Sequence, residues 1–304
     1  MIVPAHDAAR TLPRTMAALN AQELEGAFEV IVVDDGSRDD TAEVAARAGA
    51  RLIRNERPLG PGASRNAGAA AARSRCLAFT DADCAPTPGW LAAGLGALDT
   101  ADLVQGRVEP RPGVTAGPLD RTLWVTGPVG LFESANLFVR REVFARLGGF
   151  DDGLLELVGA HFGEDVVFGW RAHRAGVPTS FCEEALVYHE VFRRGPGEFL
   201  REKRRLAYFC ELVRRVPELR GTFLYRRWFM TRRSALFAAA AGGSVIAVVA
   251  RSPLPAVAAL PYSLLLAREA GTYGKRAALV LGAGDAVGFA VLASGSLRFR
   301  RLVL

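Results

Sequence analysis

The chain has 304 residues, 50% of them AVILMFWYC, with a mean hydropathy of +0.15. That is material for about two domains. It is too apolar for a disordered chain, and with 23% charged residues collagen-like and low-complexity classes are excluded as well. The formal net charge of +6 is localised: residues 193–233 hold thirteen basic and four acidic side chains, a net +9, against −3 for the remainder. The overwhelming use of Arg over Lys, together with abundant Ala, points to a GC-rich bacterial genome. The opening residues lack the basic flank and apolar core of a signal peptide.

The first 192 residues alternate short apolar runs with helical stretches, the pattern of a wound parallel α/β sheet. Met1-Ile2-Val3-Pro4 opens it; four residues is short for a central strand, so either the strand is trimmed or the true start lies upstream. Glu29–Val33 is a strand running into the turn Asp34-Asp35-Gly36-Ser37. A helix follows over Thr41–Gly49, with Asp39 or Asp40 capping its start. Arg51–Ile53 forms the next strand, Gly60-Pro61-Gly62 opens a helix of small residues through Ala72, and Cys76–Thr80 is a third strand leading into Asp81-Ala82-Asp83. Ligands of such sheets bind beyond the carboxyl ends of the strands.

Carboxylates cluster at those ends. Asp34 and Asp35 could accept hydrogen bonds from a nucleobase or ribose, or serve as ordinary turn residues. Asp81-Ala82-Asp83 supplies hard oxygen ligands suited to Mg²⁺ or Mn²⁺, which can bridge a diphosphate. Glu164 and Asp165 open a helix; they either complement its dipole or provide a general base for an acceptor hydroxyl. His189, after a short strand, is either structural or the completion of a metal shell. The four cysteines, Cys76, Cys84, Cys182 and Cys210, have no CxxC or zinc-type spacing and read as reduced cytosolic thiols.

Residues 193–233 are basic and amphipathic, with apolar positions Phe199, Leu206, Phe209, Leu212, Val213 and Val216. This reads as an interfacial element for an anionic membrane surface; no nucleic-acid partner is expected. Beyond it lie three apolar stretches of 17, 16 and 21 residues: Ser234–Ala250, Ser252–Ala267 and Ala277–Leu297. A span needs about 20 residues. The expectation is a hairpin over 234–267 and a span over 277–297, with Arg-rich flanks competing for the cytoplasmic side. Asp285 inside the last stretch is expected to pair with an Arg or another polar helix group.

One ordered set of motifs carries a resemblance. It comprises Val3-Pro4-Ala5-His6-Asp7, Val33–Ser37, Ser64-Arg65-Asn66-Ala67-Gly68, Asp81-Ala82-Asp83, Ala135-Asn136 with Gly149-Phe150-Asp151, Gly163-Glu164-Asp165 and His189. Over residues 1–192 it resembles the family-2 inverting glycosyltransferases of GT-A fold. The resemblance implies an α/β Rossmann-like GT-A domain, followed by basic interfacial helices over 193–233 and membrane helices over 234–304. It further implies a nucleotide-sugar donor, UDP- or GDP-linked, contacted by Pro4, Asp34, Asp35, Arg65, Asn66, Asp81 and Asn136. Asp83 and His189 would hold Mn²⁺ or Mg²⁺, and Asp165, with Glu164 beside it, would be the base.

Leu224-Tyr225-Arg226-Arg227-Trp228 has Leu where processive synthases of this family carry Gln in Q-x-x-R-W. Single-sugar transfer is therefore expected, with Arg227 and Trp228 as an interfacial anchor pair. The anchor suggests a lipid-linked acceptor at the cytoplasmic face of a bacterial inner membrane. A nucleotidyltransferase is disfavoured by the lack of a Gly-rich loop with a basic residue for a triphosphate. The other alternative is a catalytically inactive GT-A-like membrane assembly subunit.

Overall fold

The computed structural model describes residues 1–151 and 161–304, which divide into two compact units. The first comprises Met1–Val114 and Thr122–Val191, the second Thr115–Arg121 and Phe192–Leu304.

The first unit is built on an eight-stranded mixed sheet in the order β3-β2-β1-β4-β7-β6-β8-β5. In chain order the strands are β1 (Ile2–Ala5), β2 (Ile31–Asp34), β3 (Arg51–Arg54), β4 (Cys76–Thr80), β5 (Cys84–Pro86), β6 (Leu103–Pro110), β7 (Asn136–Arg140) and β8 (Thr179–His189). The half built from β3, β2, β1 and β4 is parallel. β7 enters antiparallel between β4 and β6, β6 and β8 run parallel, and β5 closes the edge antiparallel to β8. The shortness of β1 is shared by β2 and β3, which also have four residues.

Side chains alternate across a pleated strand, so an apolar run buried on both faces feeds two cores. Val3, Val32, Ala78 and Phe138 join one core with the helices α1 (Leu12–Asn20), α2 (Thr41–Arg47) and α4 (Trp90–Ala97). Ile2, Ile31, Val33, Leu77, Phe79 and Val139 join the other, against α3 (Pro61–Ala71), α5 (Arg141–Arg146) and α6 (Glu164–Arg174). The small residues of α3 let it lie close on the sheet: a Cβ at Gly68 would sit 2.5 Å from Ile2 Cγ2. This close approach seats Arg65, one turn earlier, against the carboxyl ends of the strands.

The second unit is helical. It contains α7 (Pro196–Glu202), a 3₁₀ turn at Lys203–Leu206, α8 (Ala207–Arg215), α9 (Leu219–Thr222), α10 (Arg232–Val249), a 3₁₀ turn at Leu254–Ala259, α11 (Leu260–Tyr273) and α12 (Lys275–Phe299). Of the belt's apolar positions, Phe199, Leu212, Val213 and Val216 are buried within the unit, while Leu206 and Phe209 are partly exposed. The glycines of α12 make room for the belt. A Cβ at Gly284 would meet the Phe199 ring at 2.5 Å, and one at Gly295 would meet Ala207 O and Cys210 Sγ at 3.0 Å. What the belt presents outward is therefore chiefly its charge. Near the expected anchor residues, Arg220 stacks over the Trp228 ring, 4.7 Å from its centroid, and Arg226 and Arg227 form a turn with φ of +50° and +69°.

Two helices, α10 with 18 residues and α12 with 25, are long and apolar enough to cross a membrane. At 1.5 Å per residue they reach about 27 and 37 Å, against about 30 Å of hydrocarbon. α11, with 14 residues, reaches only about 21 Å. The segment after α10 folds back on it, where the missing Cβ of Gly243 leaves space for Pro255 O and Ala258.

Asp285 on α12 pairs as expected. Arg233 donates from Nε to both Asp285 oxygens at 2.7 and 2.8 Å and from Nη1 to Glu269, and the Tyr262 hydroxyl donates to Asp285 Oδ2 at 2.7 Å. The set is partly buried, so removing one member strands a charge at a cost below that of a fully buried pair, about 3–5 kcal/mol. Arg233→Ala is accordingly expected to lower thermal stability in detergent. Adding Asp285→Leu and Glu269→Leu should restore most of the loss, because both stranded charges are then gone.

Candidate active site

The carboxyl ends of β1, β2 and β4 define a crevice within the first unit. Asp34 ends β2 and is wholly buried; its Oδ1 accepts from Ser37 N at 3.0 Å, and Oδ2 lies 3.1 Å from Arg54 Nε. Asp35 follows at 5% exposure and is already engaged. Its Oδ1 accepts from Asn55 Nδ2 at 2.7 Å and Leu59 N at 2.9 Å, and its Oδ2 from Gly60 N at 2.7 Å. Burial pushes its pKa up, but the donors from Leu59, Asn55 and Gly60 outweigh this and hold the carboxyl below its usual value. The turn demands glycine at position 36, where φ is +69° and a Cβ would lie 2.8 Å from the Arg57 carbonyl carbon. Asp34 and Asp35 thus shape the floor and pin the 55–60 loop, while Pro4 sits beside them on β1, paired with Val33.

The centre of the crevice is an ion network around Arg65. Its Nη2 donates to Asp81 Oδ1 at 2.5 Å, its Nη1 lies 3.5 Å from Glu164 Oε1, and the guanidinium sits over the Phe150 ring at 5.7 Å. Burial opposes the charge, but Asp81, Glu164 and Asp165 outweigh it and raise the pKa of Arg65. Gly163, at φ +72°, turns the chain into α6 and brings Glu164 and Asp165 to the same place. Asp165 Oδ2 accepts from Ser134 N at 3.2 Å and Ser134 Oγ at 3.3 Å. Burial first, then the like charge of Glu164, push its pKa up to about 7 against the pull of Arg65, with Glu133 adding to the rise. A carboxyl poised near neutrality is what proton abstraction from an alcohol requires.

A second pair lies at the end of β8. His189 Nε2 is 3.6 Å from Asp83 Oδ2, while its Nδ1 is 2.6 Å from Glu190 O. A carbonyl oxygen can only accept, so Nδ1 carries a hydrogen and Nε2 is the nitrogen that faces Asp83. Carboxylate oxygen plus imidazole nitrogen is a donor set that fits a divalent ion. The ladder pairs β5 with β8 so that Cys84 stands opposite His189, and Cys84 Sγ comes 3.7 Å from Asp83 Oδ1. From the sequence the four cysteines read as reduced thiols, and the one signal in the chain for Cys84 is its adjacency to Asp83. No spacing in the chain marks Ser134 or Glu133.

Two expected donor-contact residues are used elsewhere. Asn66 Nδ2 donates to Phe150 O and its Oδ1 accepts from Phe150 N, both at 2.9 Å, so its amide clamps the Gly149-Phe150 segment. Asn136 is completely buried; its Oδ1 accepts from Trp90 Nε1 at 2.8 Å, and its Nδ2 donates to Arg107 O at 2.8 Å and Ala185 O at 2.7 Å. It ties β7 to β6 and β8. Asn66→Ala is therefore expected to lose about 1–3 kcal/mol of stability in denaturant unfolding, with donor affinity unchanged within a factor of about two.

Comparison with known proteins follows this geometry. The first unit has the GT-A fold of glycosyltransferases. The mannosyltransferase PcManGT from Pyrobaculum calidifontis, solved with GDP-Man and Mn²⁺, aligns at a TM-score of 0.65 and 20% identity over 97% of this chain and 85% of that one. The families described as Glycosyl transferase family 2 and Glycosyl transferase family group 2 match residues 1–148 and 124–268, and the chain belongs to the family-2 glycosyltransferases. Glycosyltransferase AglE of Haloferax volcanii is 29% identical over 222 residues, 68% of this chain and 70% of that protein. The pre-mycofactocin glycosyltransferase of Mycobacterium tuberculosis is 29% identical over 209 residues, 62% of this chain but 42% of its own length.

Proposed function

We propose that this chain is a metal-dependent, inverting glycosyltransferase that moves one sugar from a nucleotide-sugar to an acceptor hydroxyl or phosphate at the cytoplasmic face of a membrane. The observation that carries the reading is a linkage through Arg65, which bonds Asp81 at 2.5 Å and interacts with Asp165. It joins a carboxyl whose pKa is pushed up to about 7 to the Asp81-Ala82-Asp83 segment, where Asp83 stands 3.6 Å from His189 Nε2. That PcManGT was solved with GDP-Man and Mn²⁺ supports the same donor class and ion type.

Asp83 and His189 would hold Mn²⁺ or Mg²⁺, which when bound supplies positive charge against the departing diphosphate. Asp165 takes the proton of the acceptor hydroxyl. The acceptor oxygen forms its bond to the anomeric carbon from the face opposite the diphosphate, and the anomeric C–O bond breaks with its electron pair leaving on the nucleoside diphosphate. Configuration inverts because one displacement occurs. Arg65 holds Asp81 and Glu164 in position and limits the mutual repulsion of the carboxylates around it.

The membrane part rests on α10 and α12 and on the apolar side chains the second unit leaves exposed, among them Val248 and Leu254 at 78%, Val249 at 79% and Leu279 at 74%. Apolar surface of this kind suits lipid better than water. A lipid-linked acceptor and single-sugar transfer follow from the anchor and from Leu224 in place of the synthase Gln.

The test is donor turnover by protein purified in detergent. UDP-, GDP- and dTDP-sugars are offered with Mn²⁺, with nucleoside diphosphate release and donor binding followed on the same samples. One donor class should bind and turn over, and chelation should abolish both. Absence of metal-dependent binding to every donor would overturn the reading and favour an inactive assembly subunit.

A further inference from the structure

We infer that Cys84 is a third ligand of the Asp83–His189 site and gives that site a zinc-class affinity that an oxygen-and-imidazole pair lacks. The inference rests on the metal site proposed above and deepens it by naming what sets its ion selectivity.

The geometry comes from the sheet edge. β5 begins at Cys84, and its register with β8 sets Cys84 against His189, while Asp83 immediately precedes the strand. A carboxylate oxygen of Asp83, the Cys84 sulfur and a ring nitrogen of His189 all lie within 4.8 Å of one another. The two separations that matter most are 3.6 Å, from Nε2 to Oδ2, and 3.7 Å, from Sγ to Oδ1. A tetrahedral ion with bonds of about 2.0–2.3 Å keeps its ligands about 3.3–3.8 Å apart. The two separations to Asp83 stand at that spacing, each to a different carboxylate oxygen, and the sulfur and the imidazole nitrogen lie within 4.8 Å of one another.

The chemistry separates two kinds of ion. Mg²⁺ and Mn²⁺ favour oxygen ligands, whereas sulfur, imidazole and carboxylate together favour Zn²⁺ and Co²⁺. Coordination replaces the thiol hydrogen by the ion, the proton leaving to solvent. The rival account is that Cys84, with no exposed surface, serves only as a small apolar filler among the residues of the first core. In that case no ion touches sulfur.

Cobalt distinguishes the two, because sulfur bound to Co²⁺ absorbs in the near ultraviolet while Co²⁺ itself absorbs weakly in the visible. Full-length protein in detergent, without nucleotide, is titrated with Co²⁺. The expected result is a near-ultraviolet band saturating at about one equivalent, displaced by Zn²⁺ at far lower concentration than by Mn²⁺. Cys84→Ala, a tolerable change in a packed core, should lose this band and keep the visible one. Its Zn²⁺ affinity should fall at least roughly tenfold, the lower bound for losing even an outer-shell partner. His189→Gln, which leaves the thiol in place, should weaken cobalt binding and its sulfur band together. Cobalt bound with no near-ultraviolet band, or a band that persists in Cys84→Ala, would overturn the inference and leave the metal-dependent reading intact. No cobalt binding by the wild type without nucleotide would likewise overturn the inference, while the metal-dependent reading is decided by donor binding in the presence of Mn²⁺.

Discussion

Asp165→Asn should lower sugar transfer by about 10²–10⁴-fold, the usual contribution of a general base, while metal-dependent donor binding persists. The pH profile identifies the cause. With its pKa pushed up to about 7 by burial and by Glu164, Asp165 is protonated at pH 6 and cannot accept the acceptor's proton. The wild-type kcat/KM should therefore rise with pH and level off above about 7, and the residual activity of Asp165→Asn should lack that limb. Glu164→Gln removes a like charge that raises the pKa, so its limb should move to lower pH. A limb unchanged in Asp165→Asn would assign it to another group.

The same raised pKa has a consequence for stability, with a definite sign. The folded state holds the Asp165 proton up to about pH 7, whereas the unfolded chain releases it near the ordinary Asp value of 3.8. Between those values the folded state binds more protons, so stability falls as pH rises through the window. Asp165→Asn stays neutral throughout and avoids that loss. Its melting temperature should exceed that of the wild type at pH 8 and converge with it below pH 4.

The second large effect is expected at Asp83. Asp83→Ala should abolish Mn²⁺-dependent donor binding and lower transfer on the order of 10³-fold or more, since an ion on a departing diphosphate contributes several kcal/mol. Mn²⁺ binding followed by electron paramagnetic resonance, with and without nucleoside diphosphate, reports this directly. His189→Ala should have a smaller effect of the same kind. The Asp83→Ala/His189→Ala pair should be no worse than Asp83→Ala alone, because the two side chains act on one ion. Additive losses would place His189 outside the metal shell.

Much of this was legible in the chain. The β-branched run before Asp34, the small-residue stretch after Gly60 and the strand before Asp81 produce β2, α3 and β4 with boundaries shifted by a residue or two. Their order placed Asp34, Asp81 and Asp83 at the carboxyl ends of a wound sheet, and the resemblance alone added Asp165. Asp285 inside an apolar stretch called for a partner, and Arg233 supplies it. In the basic belt the apolar spacing is real, and the glycines of α12 take up part of that face. Helical spacing specifies that a face is apolar, not what covers it.

By itself, then, the sequence determined the elements, their order, and which carboxylates stand at the strand ends, because periodicity and turn chemistry act between near neighbours in the chain. Tertiary structure alone decided how the side chains are employed. Asp35 binds the 55–60 loop, Asn66 clamps Phe150, Asn136 joins three strands, and Cys84 meets His189 across β5 and β8. Each of those outcomes depends on distances and burial set by segments far apart in the chain. The pKa of Asp165 depends on the same things, since it is the enclosure of its carboxyl beside Glu164 and Arg65 that moves it toward neutrality.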